Sequence, residues 1–188
     1  YRDDPLDPTT GHFMTASAVP FLALHGADNG VRTFIDYRIY RSIGSVRPVT
    51  FAFRAQLGSV AGPSLAESPS DFLFYSGGSG TVRGHPYESL GVNQGGGQQS
   101  GGRSFLGLSA EARFRVTDTI GLVGFFDYGF VGSDPLPSDS TGDYQTGGGV
   151  GLRYATGIGP IRLDVAVPVS GPDTGSNFEI YVGIGQAF

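Results

Sequence analysis

The chain has 188 residues, enough for one domain with a core of its own. Its 32 glycines, 9 tyrosines and 14 phenylalanines argue for strands, because glycine is costly inside a helix and aromatic rings favour the pleated sheet. A net charge of -5 with only 12 Lys and Arg excludes the dense basic face that a nucleic acid needs, and the absence of Cys excludes a disulfide framework or a thiolate metal site.

No apolar stretch reaches the roughly 18 to 20 residues of a spanning helix, which excludes a helical membrane protein. A transmembrane barrel passes that test unseen, because its strands alternate apolar and polar residues and average out to a soluble hydropathy. The chain begins at Tyr1 with neither Met nor a signal sequence, so it reads as a piece of a longer exported protein.

The first predicted strand, residues 12 to 25, runs from His12 to His25 without clean alternation, and its facing stays unassigned. Residues 30 to 41 set Ile35, Tyr37 and Ile39 opposite Arg32, Asp36 and Arg38, and residues 49 to 60 form a third strand. A long connection follows, residues 61 to 102, and loops beyond ~12 to 15 residues are usually functional or disordered. Within it, residues 93 to 102 read as flexible, and the Gly-rich run lacks the Lys-Ser/Thr and the helix of a phosphate cradle. Strands resume at 103 to 116, with Leu106, Leu108 and Phe114 against Glu111, Arg113 and Arg115, and continue at 119 to 131, 146 to 156 and 159 to 169. The alternation is clearest at 159 to 169, where Ile161, Leu163, Val165, Val167 and Val169 share one face and Arg162, Asp164, Ala166 and Pro168 the other. The last strand, 177 to 188, sets Phe178, Ile180, Val182, Ile184 and Phe188 against Asn177, Glu179, Gly183 and Gly185.

Most of these segments exceed the ~5 to 6 residues of a globular strand and match the ~9 to 11 of a membrane-spanning one. One face therefore reads as lipid-facing and the other as lumenal. Slipping the register by one residue would place Arg162 in hydrocarbon at roughly 2 to 4 kcal/mol near the midplane. Connections mostly alternate as well: Thr117-Asp118 and Gly157-Ile158 are tight and 132 to 145 and 170 to 176 longer, whereas early in the chain residues 42 to 48 are longer than 26 to 29. With the short turns on the periplasmic side, residues 61 to 102 lie outside and Phe188 ends at the periplasmic rim. His12, His25 and His85 lack metal-site spacing and a nearby nucleophile, and read as surface or rim residues.

Within the long connection stand Val82-Arg83-Gly84, an aromatic at Tyr87, and Ser89-Leu90-Gly91. That string resembles the Arg-Gly-aromatic motif at the tip of the sixth loop in the Omp85 superfamily. Leu6-Asp7-Pro8-Thr9-Thr10-Gly11, the stretch Gly149 to Tyr154, the stretch Gly159 to Pro168, and Gly183-Ile184-Gly185-Gln186-Ala187-Phe188 resemble that family's later strands in the same order. The likeness is strongest to the branch of the translocation and assembly module, the D15-type surface antigen barrels. His85 departs from it where an aromatic usually follows Arg-Gly, and Val92 where Pro is common.

The resemblance implies an all-β, transmembrane antiparallel β-barrel, residues 1 to 188 being strands nine to sixteen of sixteen with a long outer loop at 61 to 102. Taken alone, Arg83 reads as a solvated loop charge; the resemblance instead implies that it enters the lumen and meets Glu111 and Asp127. Tyr181, Gly183 and Phe188 stand where the family carries its C-terminal strand signal, which β-augmentation by an insertase can extend. The implied function is non-enzymatic assembly of outer-membrane proteins, including autotransporters, in the bacterial outer membrane. Its partners are unfolded outer-membrane clients, the lipid bilayer and an inner-membrane-anchored, periplasm-spanning protein. No cofactor, metal or catalytic constellation emerges from the residues. Two alternatives stay open: a two-partner secretion pore passing a soluble client, and a small eight-stranded structural or adhesion barrel.

Overall fold

The computed structural model describes residues 1–22, 28–172 and 178–188. Residues 23–25 of the first expected strand, with His25, the adjoining 26–27, the 173–176 connection, and Asn177 lie outside the described residues. Eight long strands build the fold: β1 (Gly11–Phe21), β2 (Gly30–Ile43), β3 (Val49–Ala61), β6 (Ser104–Arg115), β7 (Ile120–Gly132), β8 (Gly142–Tyr154), β9 (Ile161–Ser170) and β10 (Glu179–Ile184). A short hairpin of β4 (Val92–Gly95) and β5 (Gln98–Ser100) lies in the connection between β3 and β6, together with one turn of 3₁₀ helix at Ser70–Phe72. The sheet order is β1-β2-β3-β6-β7-β8-β9-β10, and every neighbouring pair is antiparallel.

The faces are inverted relative to a water-soluble sheet. On β9 the apolar Ile161, Leu163, Val165, Val167 and Val169 are exposed, while Asp164 and Ala166 are fully buried. The same holds on β2, where Ile35, Tyr37 and Ile39 are exposed and Asp36 and Tyr40 are buried. An aqueous fold has no use for an outer face of this kind, whereas hydrocarbon solvates it. Pairing also settles β1, because residues directly opposite share a face: Phe13 opposes Arg38 and Thr15 opposes Asp36, so both look inward. The guanidinium of Arg2 lies 4.7 Å over the Phe13 ring, on that inner side. Small Ala, Ser and Thr side chains on both faces of β1 erase the periodic signal.

The curled inner face carries three apolar clusters. Val60, Phe74, Leu90, Phe105 and Val131 close the end near the long connection, with the Phe74 and Phe105 rings stacked at 6.0 Å. Val123, Phe125 and Ala166 form the middle, with Tyr181 against them. Tyr40, Ala52 and Phe188 form the turn end. Among the described residues no ladder joins β1 to β10. Their flanks meet at the turn end, where the Gln186 N–H donates to the Leu6 carbonyl (2.8 Å) and Gln186 Nε2 to Asp7 Oδ1 (2.9 Å).

Four expectations are corrected. β8 begins at Gly142 rather than 146, because pairing with β7 and the stack of Tyr144 on Tyr128 (5.8 Å) override the turn-like composition of Gly142-Asp143. β9 begins at Ile161 rather than 159, since Gly159 sits at φ +107° and Pro160 has no N–H to donate. The Gly-rich stretch 93 to 102 is not a loose loop: Gly95, Gly96 and Gly97, all at positive φ, turn the β4–β5 hairpin. The last strand ends at Ile184, where Gly185 at φ +87° bends the chain inward, so Phe188 is buried at the turn end instead of sharing the lipid face with Ile184.

Spin labels placed singly along β9 in the full-length protein in lipid vesicles are expected to show higher oxygen accessibility at Leu163, Val165 and Val167 than at Arg162 and Asp164. The opposite pattern would overturn the facing.

Candidate functional site

The connection from Gly62 to Arg103 doubles back on itself before it reaches the sheet. Phe74 and Gly102 exchange both backbone hydrogen bonds at 2.8 Å, and Ser76 and Leu90 do so at 2.9 Å. These bridges bring the two arms together and leave residues 77 to 89 as a tip. Thr81 Oγ1 stiffens the tip by accepting from the Gly77 N–H (2.8 Å), and the Gly78 N–H donates to the His85 carbonyl (3.1 Å). The tip then folds down onto the inner face of β6 to β10.

Glycine makes this approach possible. A Cβ on Gly147 would overlap the Arg83 carbonyl oxygen, and one on Gly129 would overlap Ser76 Oγ, so any larger residue on β8 or β7 would push the tip away. Gly84 itself sits at φ +95° with the β9 backbone at Val167 directly beneath it. Val82, fully buried, fills the space over Gly129 and Gly147.

Arg83 is 2% exposed. Its Nε and Nη2 donate to the two oxygens of Asp127 at 2.7 and 3.0 Å, and its backbone N–H donates to Asp127 Oδ2 at 3.2 Å. Nη1 donates to Glu111 Oε1 at 2.7 Å and to Asp164 Oδ2 at 3.4 Å. Guanidinium carbon lies 3.6 Å from the centre of the Phe125 ring, which floors the site. Only the fork of donors on arginine meets three carboxylates from three strands; an ammonium could not. Burial opposes the charge and is the largest single influence on Arg83. Asp127 and Glu111 together outweigh it, so the pKa of Arg83 is raised and the side chain stays cationic.

The structure thus brings together Val82, Arg83, Gly84, Glu111 and Asp127, and it leaves Tyr87 apart, 80% exposed at the tip. Tyr181 reaches in from β10: its oxygen accepts from the Gly84 N–H at 3.0 Å and its hydroxyl donates to the His85 carbonyl at 3.5 Å. Gly183 faces the Arg162 guanidinium. Phe188 offers its carbonyl to Arg113 Nη2 at 3.1 Å, under a cation–π contact of 5.6 Å.

His85 corrects the expectation of a surface histidine. It is fully buried, and its Nε2 donates to the Thr146 carbonyl at 2.9 Å. The position beside Arg83-Gly84 could have signalled this burial. Asp164, Arg113 and Arg153, to which the sequence assigns at most an inward face, complete the site. Arg153 Nη1 pairs with Asp164 Oδ1, and Arg113 Nε donates to Glu111 Oε2 at 2.9 Å. A second cluster adds Arg54 to the inward face on which alternation already sets Asp36 and Arg38: Asp36 holds Arg38 and Arg54, and Arg54 Nη1 donates to the tip carbonyl of Gly80 at 3.0 Å. Among the described residues no group of His, Asp and Glu is set to hold a metal ion.

The whole chain, residues 1–188, matches the Omp85 superfamily domain. Its fold is similar to that of BamA from Haemophilus ducreyi lacking POTRA domains 1-3, with a TM-score of 0.72 at 19% identity. That match covers 97% of this chain and 39% of the BamA chain.

Arg83→Ala leaves the buried Asp127 without its cation, while Glu111 keeps Arg113 and Asp164 keeps Arg153. Loss of one partner from a buried ion cluster costs ~3 kcal/mol or more, equivalent to about a hundredfold in the opening equilibrium. Proteinase K digestion of the full-length variant should therefore cut between residues 62 and 103 about a hundred times faster than in the wild type. Unchanged protection would show that the charge does not hold the tip.

Proposed function

The chain belongs to the Omp85 superfamily, and from that premise we propose that it is the C-terminal half of a sixteen-stranded barrel in the bacterial outer membrane. In this reading the whole protein inserts unfolded outer-membrane proteins, autotransporters among them, without enzymatic chemistry. The long connection Gly62–Arg103 is its outer loop, folded into the lumen.

The observation that carries this reading is the unequal strength of the last strand. β10 has six residues against ten in β9, and its far edge is unpaired among the described residues. Within hydrocarbon an unpaired strand edge is costly, because no water is present to satisfy its N–H and C=O groups. Such an edge takes up another strand readily, and addition of a client hairpin is templated by the main chain whatever its side chains. Glycine at Gly183, where a side chain would pack, weakens the hold of β10 further. Partners fitting this role are unfolded outer-membrane clients, the surrounding bilayer and a periplasm-spanning protein anchored in the inner membrane that delivers the clients.

The full-length protein in lipid vesicles is expected to speed the folding of a urea-unfolded outer-membrane barrel at least several-fold over empty vesicles. Heat-modifiable mobility of the folded client measures it. Accumulation of a soluble client inside the vesicles without barrel insertion would favour a secretion pore instead.

A further inference from the structure

Tyr181 is the aromatic residue of β10. It looks inward from β10, opposite Asp164 on β9, and its ring packs against Val123, Phe125 and Ala166. Phe125 is the residue on which the Arg83 guanidinium rests. The Tyr181 oxygen takes the N–H of Gly84 and returns its own proton toward the His85 carbonyl, so one side chain of the edge strand grips the backbone of two consecutive residues of the tip. The tip cannot shift sideways to keep these bonds. Gly84 is held against the Val167 backbone, and the Arg83 carbonyl lies on Gly147.

A second link runs from the segment that follows β10 to the same arginine. The Phe188 carbonyl accepts from Arg113 Nη2, Arg113 Nε donates to Glu111 Oε2, and the other Glu111 oxygen receives Arg83 Nη1. The last strand and the segment that follows it are therefore bound to the loop tip, directly through Tyr181 and indirectly through Phe188, while the outer edge of β10 is unpaired among the described residues. We propose that Tyr181 is a positioning residue that couples the two: when an incoming strand draws β10 from its place, the hydrogen bonds to Gly84 and His85 break and the tip is released. This inference rests on the client-insertion reading given above. It adds that engagement of the edge unseats the loop tip.

The protein carries its own reporter, because trypsin cleaves after arginine and Arg83 is buried only while the tip is seated. Full-length protein in lipid vesicles would be treated with trypsin in the presence and absence of a urea-unfolded outer-membrane barrel, and the fragment beginning at Gly84 quantified. In the wild type, cleavage after Arg83 should be slow at rest and rise when the client engages. Tyr181→Phe keeps the ring and removes the hydroxyl; its resting cleavage should rise roughly five-fold, and the client should add little more. Tyr154→Phe, at an exposed position on β8, should behave as the wild type.

The wild-type arm needs no variant, so poor folding of Tyr181→Phe leaves it intact. A wild type that inserts client with no rise in cleavage overturns the coupling and leaves the function standing. A Tyr181→Phe protein with wild-type resting cleavage and an intact client response also overturns it. Failure of the wild type to insert any client would sink the functional reading instead, and the resting comparison would then still decide whether Tyr181 holds the tip.

Discussion

A guanidinium cannot be enclosed between a loop and a sheet unless carboxylates surround it, and that requirement organises the inner face. Arg83, Arg113 and Arg153 are answered by Glu111, Asp127 and Asp164. Desolvation makes each ion costly alone, so the cluster adds little net stability over an apolar filling of equal shape. What it adds is uniqueness. The Arg83 fork fits one pair of oxygens on Asp127 and one on Glu111, and displacement of the tip by a single residue would leave several charges buried without partners.

Consequences spread outward from there. Inward charge forces the apolar side chains of β2, β3, β6 and β9 to the outer face, where hydrocarbon accepts them. Sheet register is then fixed, since a slip by one residue would exchange the two faces. The edges escape this control. β10 is held by β9 on one side and by contacts from its inward side chains and terminal carbonyl, so its place depends on the same charge cluster it flanks.

Much of this is visible in the residues themselves. The facing of β9 follows from strict alternation, because membrane strands must separate the two kinds of side chain, whereas the antiparallel barrel order is what the resemblance implies. The approach of Arg83 to Glu111 and Asp127 is not visible in that way; it comes from resemblance, and residue chemistry alone favours a solvated arginine. His85 escapes a reading of the sequence because burial of a polar ring depends on a distant carbonyl, that of Thr146. Arg54 and its hold on Gly80 join positions 26 residues apart in sequence, which no local pattern encodes. The inward turn at Gly185 leaves only a faint mark, Gln186 on the parity of Ile184 and Phe188, because a positive φ belongs to the backbone and not to the side-chain pattern.

Where the connection presses closest to the sheet, the wall beneath it is bare backbone at three positions. Gly58 lies under the Phe74 ring, Gly129 under Ser76 and Val82, and Gly147 under Arg83. A stopper seated on glycine leaves a distinctive vacancy when it is withdrawn. No side chain is rooted at these positions to swing into the gap, and the strands on either side are locked by their ladders. The space would fill with water rather than collapse, so the wall keeps one shape whether the passage is stopped or open.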